Sequence, residues 1–227
     1  MRSMPHASLA LWMAVAGLWS LFLAFLGLHL ITPSDGARLP PGEPQSIGGG
    51  LRLEPLRPGS LEPGDLLLAV NGQSVVSLAG DLAYPRPAGP RYAFGQSLTY
   101  TVERAGQRRD LPVTLGLYPL GAVLAINWGS IAFALILQLA TAFVFVKRRA
   151  EPVARVMFLM AAATVAATTW SLGLQVSDLA GKLGFWLYIA STVATYVLIW
   201  VSALHSTLLF PTPWPPLARQ RWIVPAL

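Results

Sequence analysis

LRPGSLEPGDLLLAVNGQSV, residues 56–75, decides how the chain is read. Three turn signals, Pro58-Gly59-Ser60, Pro63-Gly64-Asp65 and Asn71-Gly72, surround one short apolar run from Leu66 to Val70. Asn-Gly directly after such a run is the strongest short-range hairpin signal, because both central residues of the turn must accept positive φ. The stretch therefore belongs to a folded β module. Upstream, GLRLEPL (50–56) alternates apolar and polar positions. Downstream, SLTYTVERAGQRRDLPVTL (97–115) sets Leu98, Tyr100 and Val102 against Thr99, Thr101 and Glu103. It turns around Ala105-Gly106-Gln107 and resumes with Leu111, Val113 and Leu115. That is a second hairpin with one apolar face. The Pro-rich YPRPAGPR (84–91) lies between the two hairpins.

Outside this module the sequence is built for lipid. The 227 residues are 54% hydrophobic and 11% charged, with a mean hydropathy of +0.55, which is membrane-protein composition. Apolar runs at 7–31, 120–146, 153–175 and 185–210 reach the roughly 20 residues that a helix needs to cross hydrocarbon. WIVPAL (222–227) opens a fifth. The first run follows a basic residue as a secretory signal does, but it exceeds the roughly 7–15 residues of a signal core and no Ala-x-Ala site follows, so it reads as an uncleaved anchor. The expected fold is a membrane α-helical bundle of four complete helices plus the start of a fifth, with an inserted small β-rich domain. The divisions are an anchor over 1–32, a module over 33–119 with its core at 47–116, and a multi-helix region over 120–227.

Charge sets the expected orientation. The short connection KRRAEPVAR carries Lys147, Arg148, Arg149 and Arg155 against Glu151, which places it in the cytoplasm. Arg2, Arg219 and Arg221 then share that side, which holds the whole net charge of +6. VSDLAGKLG (176–184), where Asp178 balances Lys182, falls on the other side with residues 33–119. The predicted location is the bacterial inner membrane, multi-pass, with a cytoplasmic amino terminus and an extracytoplasmic module. The pI near 10.2 then reflects topology and anionic lipid headgroups, and a nucleic-acid partner is not needed to explain it.

Catalytic signatures are scarce. With no cysteine the chain has no disulfide or thiolate metal site, and it lacks the His-Glu-x-x-His pattern of a membrane zinc protease. No cofactor motif is present, and the expectation is a chain without metal, cofactor or catalytic residues. Ser130 in NWGSI and His205 give a remote echo of an intramembrane serine protease. His29 and His205 are read as interfacial packing residues. Asn127, Gln138 and Gln175 in or beside apolar runs should meet polar partners, because an unpaired amide in hydrocarbon is costly.

Two resemblances point to function. Gly50, an alternating strand, Pro58-Gly59-Ser60, Gly64-Asp65, an apolar strand, Asn71-Gly72 and finally Val102-x-Arg104-x-Gly106 follow the order of a bacterial exported PDZ domain, which the chain resembles over about 50–116. That resemblance implies an extended peptide added to a sheet edge, its carboxylate received by backbone amides of a Gly-rich loop. Gly48, Gly49 and Gly50, with Leu51 and Leu53, are the candidate peptide-binding residues, and the glycines equally suit a flexible strand entry. The upstream TPSDGARLPPGEPQS has no Gly-Leu-Gly-Phe-like stretch, and Pro85, Pro87 and Pro90 shorten any groove-flanking helix. His205, Leu208, Phe210 and Pro211 are similar to a His-x-x-Leu-x-Phe-Pro ending on membrane helices of bacterial sensor proteins. One helix, an exported PDZ-like loop and then a helical bundle resemble the amino-terminal sensor region of ComP-type histidine kinases. This implies a receptor input region with an exported peptide or protein ligand, a homodimer, and an output domain beyond Leu227. The alternative is a membrane-tethered PDZ scaffold recruiting exported peptides or proteins.

Overall fold

The computed structural model describes residues 6–40, 49–80 and 92–209. Gly48, Phe210, Pro211, the Pro-rich 84–91 stretch and the start of a fifth helix at 222 lie outside them. Four helical segments are long and apolar enough to cross a membrane, at Leu9–Ile31, Leu120–Lys147, Pro152–Leu172 and Leu183–Leu209.

Helix α1 (His6–Ile31) is an uninterrupted apolar run. It leads into strand β1 (Ala37–Arg38). Strands β2 (Leu51–Arg52), β3 (Glu54–Pro55), β4 (Leu66–Val70) and β5 (Gln73–Ser74) follow, then the short α2 (Val75–Gly80). Strands β6 (Ser97–Arg104) and β7 (Gln107–Thr114) complete an antiparallel sheet of order β2-β4-β6-β7, with β5 folded back on β4 and β1 paired separately to β3. The local turn signals act as read. Asn71 and Gly72 take φ of 49° and 79° and join β4 to β5, and Ala105 and Gly106 at 52° and 77° join β6 to β7. Tyr100 and Leu98 (both 1% exposed), Val102 (0%) and Val113 (4%) form the buried face with Leu67 and Leu53. Burial of a side chain such as Leu67 contributes about 1.5–3 kcal/mol.

Helix α3 (Leu120–Lys147) starts after Pro119. Helix α4 (Pro152–Ala167) has Glu151 at its extended N-cap and Pro152 in its first turn, where a missing N–H costs nothing. The span read as one helix over 153–175 is interrupted. Thr168 turns its hydroxyl to Val165 O at 2.6 Å, and α5 (Thr169–Leu172) continues for one turn before Gly173 ends it at φ 73°. Leu174 is then extended and accepts a hydrogen bond from Leu39 N–H at 2.8 Å. Helices α6 (Val176–Gly181) and α7 (Leu183–Leu209) follow.

The chain divides into two compact units. One comprises the described residues of 1–23, 128–168 and 190–227. Its core packs Leu11, Val15 and Leu18 of α1 against Phe145 of α3 and Phe158, Ala162, Ala163 and Ala166 of α4. The Phe145 and Phe158 rings stack at 5.0 Å, and Trp12 meets both edge-on. Large apolar residues such as Phe133, Leu139 and Phe143 of α3 and Leu204 of α7 remain exposed, as a lipid-facing surface requires. The second unit comprises the described residues of 24–127 and 169–189, and so unites the β module with the last turns of α1, the first turns of α3 and α7, and helices α5 and α6.

Candidate functional site

The second unit buries a cluster of polar and charged groups. His29, Ser34, Asp35, Arg38, Gln175 and Asp178 are all under a tenth exposed. Such burial is costly unless the groups find partners; some partners are local and others come from far along the chain, and Gln175 Oε1 has none among the described residues.

Helix α6 builds the first contact. Gln175 sits at its N-cap with extended backbone, and its N–H donates to the Asp178 carboxylate at 2.8 Å. The same Oδ2 lies 3.1 Å from His29 Nε2, with 1% and 4% of the two side chains exposed. Gln175 Nε2 approaches His29 Nδ1 at 3.4 Å. The rings of Phe25 and Tyr118 enclose the imidazole at centroid distances of 4.3 and 4.8 Å. Gly184 in the first turn of α7 completes the pocket, since a Cβ there would collide with the Asp178 carboxylate.

The segment after α1 forms a strap held on several sides. Ser34 exchanges both backbone hydrogen bonds with Gly116, at 2.9 and 2.8 Å. Asp35 accepts from Ala37 N–H at 3.0 Å and from the Tyr100 hydroxyl at 2.9 Å. Burial raises the Asp35 carboxyl above the ordinary carboxylate value, outweighing these two hydrogen bonds, and the nearby Asp178 charge adds to the rise. Burial first, then Asp35, likewise pushes the Tyr100 phenol well up. Arg38 donates to Glu54 at 2.8 Å and to Ser171 O at 2.6 Å. Gly173 leaves room for that reach, since a Cβ there would meet the Arg38 chain. Tyr118 donates to Leu172 O at 2.8 Å, and Asn127 to Val123 O at 2.9 Å and Ser171 O at 3.3 Å. Four separate segments thus converge on the loop 169–181.

The residues singled out from sequence have varied surroundings. Leu51 and Leu53 are buried core residues at 6% and 2% exposure. Gly50 packs so closely on Leu66 and the Leu67 carbonyl that a Cβ would clash, whereas Gly49 is exposed at φ 86°. Pro58 and Gly59 are exposed, and the Ser60 hydroxyl donates to Pro112 O at 2.9 Å. Gly64 takes φ 94° beside Asp65, which is 1% exposed. Asp65 receives both arms of the Arg104 guanidinium at 2.7 Å and the Glu62 N–H at 2.9 Å. Burial alone would raise that carboxyl, but Arg104 and the Glu62 N–H outweigh it and hold it below the ordinary value. Asn71 Oδ1 accepts Thr99 N–H at 2.8 Å, so this turn is tied to β6. Among the described residues, those singled out from sequence in this module therefore serve as its core and turns.

In the other unit His205 is half-buried beside a small cavity with Leu11, Arg155 and Ser202, and Leu208 is also half-buried. Ser130 is exposed on α3 and does not border that cavity. Gln138 is 8% exposed, and its Oε1 has no partner among the described residues. No group of three or more metal-binding side chains occurs among the described residues.

Sequence reading treated Asp178 as a counter-charge to Lys182 and His29 as a packing residue, and it gave no role to Asp35, Arg38 or Tyr118. The one local signal was the spacing Gln175-Val-Ser-Asp178, which fits an acidic residue reaching back over a helix start. Comparison of the chain with protein families, with curated proteins and with solved structures gives no match.

Proposed function

We propose that the chain is the input region of a bacterial signal-transduction receptor of histidine-kinase type. In this reading residues 33–119 form a PDZ-like module outside the inner membrane. The amino terminus lies in the cytoplasm, and a peptide or protein from outside acts on the module of a homodimer. The buried junction of His29, Arg38 and Leu39 with loop 169–181 carries the proposal. A module that only displays a binding surface needs a tether, whereas one that moves membrane helices needs contacts that transmit force. Here the ends of α1, α3 and α7 share a compact unit with the module. A ligand that favours one arrangement of this unit would shift the helices through that difference in affinity.

Two experiments test the reading. Alkaline phosphatase fused after Gly106 should be active and after Arg149 inactive; the opposite pattern ends the topology. Cells making the Asp178→Asn chain should show an altered level of phosphorylated response regulators against wild type. Unchanged phosphorylation, with the variant folded and inserted, would favour the tethered scaffold.

A further inference from the structure

A cleft in the module borders the strap at Asp35 and Gly36. It has a volume of about 430 Å³ and runs between the turn 57–61 and the outer edge of β7, within the range of small-ligand pockets, roughly 300–1,000 Å³. Arg57 stands at its head. The guanidinium lies over Gly36 and Gly116, where any Cβ would collide with it, and it donates to Thr114 O at 3.3 Å. Two glycines thus fix a planar cation in place. Among the described residues Arg57 forms no ion pair, unlike Arg38 and Arg104.

The remaining walls are mixed. Pro55, Pro58 and Leu61 line one side, and Pro112 and Val113 the other. Thr99 exchanges hydrogen bonds with the β4 side, which makes Thr99↔Pro112 and Ser97↔Thr114 the non-bonded pairs of the β6-β7 ladder. In an antiparallel ladder such residues turn their backbone groups outward, so the Thr114 N–H faces the cleft side. Asp35 also borders the cleft, but its carboxylate oxygens are engaged by Ala37 N–H and Tyr100 O–H. Ser60 is committed to Pro112 O, which together with Pro112 itself blunts this sheet edge against a full added strand.

We infer that this cleft is a binding site for a carboxylate attached to an apolar group, with the carboxylate on Arg57 and the Thr114 N–H and the apolar part against the Pro55, Pro58 and Leu61 wall. Guanidinium geometry suits a carboxylate in the plane of the fork. The chain end of a peptide and a free organic acid present the same chemistry. The site deepens the receptor reading by naming where an input ligand sits, yet it is read by binding alone. Its failure is therefore separable from a failure of signalling.

The test uses the full chain in lipid nanodiscs and titration calorimetry. The probes are N-acetyl-leucine and a blocked hexapeptide ending in leucine, each beside its carboxamide. Carboxylates should bind about tenfold to a hundredfold more tightly than the amides, and Arg57→Gln should remove that preference. Gly59→Trp, which adds bulk at a position with no neighbour to clash against, should block the cleft while leaving Arg57 in place. Binding of the peptide alone assigns the ligand to a chain end, and binding of N-acetyl-leucine alone to a free acid. No binding of either, equal binding of the amides, or undiminished binding by both variants overturns the site.

Discussion

In the helical unit, Thr141 donates to Leu137 O at 2.9 Å and Thr195 to Ser191 O at 2.6 Å, each four residues back on its own helix. In the unit with the module, His29 meets Asp178 across 149 positions, and Arg38 reaches Ser171 O across 133. Both devices satisfy buried polar atoms, with different mechanical results. A hydroxyl bonded to its own helix places no demand on the neighbouring helix, and the core there of Ala162, Ala163 and Ala166 with three aromatic rings adds apolar packing and ring contacts. A buried bond between distant segments fixes their distance and orientation together. The two units therefore differ in how far along the chain their buried polar groups reach.

The comparison breaks most visibly at Asp178. Asp178→Ala removes the shared partner of the His29 ring and the Gln175 N–H, and about 1–3 kcal/mol of stability should be lost, read from thermal unfolding in detergent. A loss below about 1 kcal/mol would mean that the junction behaves like an exposed ion pair. His29→Ala should cost less when combined with Asp178→Ala than when made alone.

Asp35 sharpens the contrast through pH. Its carboxyl is raised by burial, so the folded chain holds that proton more tightly than the unfolded chain does. Its contribution to stability is therefore greatest in acid and declines as pH rises from the ordinary carboxylate value through the raised one. Asp35→Asn keeps an amide for Ala37 and Tyr100 without the charge. The variant should be more stable than wild type at neutral pH, with the difference vanishing in acid. An unchanged pH profile would show that Asp35 is not the group responsible.

The smallest effect belongs to the helical unit. Thr141→Val removes one own-helix hydrogen bond, and the change should stay within about 0.6 kcal/mol. A much larger loss would show that this hydroxyl organises neighbouring helices, and the two regions would then differ less than the geometry indicates.

Legibility followed sequence distance. Asn71-Gly72 and Ala105-Gly106 were readable because a tight turn depends on its own two residues. The four apolar segments were readable because hydrocarbon thickness sets their length. The interruption at Thr168 was missed, since a threonine can bond back within a helix or help to end it, and the packing of the loop after Gly173 favours the second. The role of Leu51 and Leu53 was also hidden: alternation marks an apolar face without saying whether a peptide or the module's own core covers it, and here both are buried within the module. The junction left almost no trace, because no periodicity links residue 29 to 178.

The strap has a consequence for biogenesis. Its Leu39 N–H and Arg38 side chain are satisfied by backbone carbonyls of Leu174 and Ser171, which are synthesised more than 130 positions later. The strap's contacts with Gly116, Tyr100 and β3 need only residues up to 116, but these last two bonds need loop 169–181, so the strap is completed in two stages.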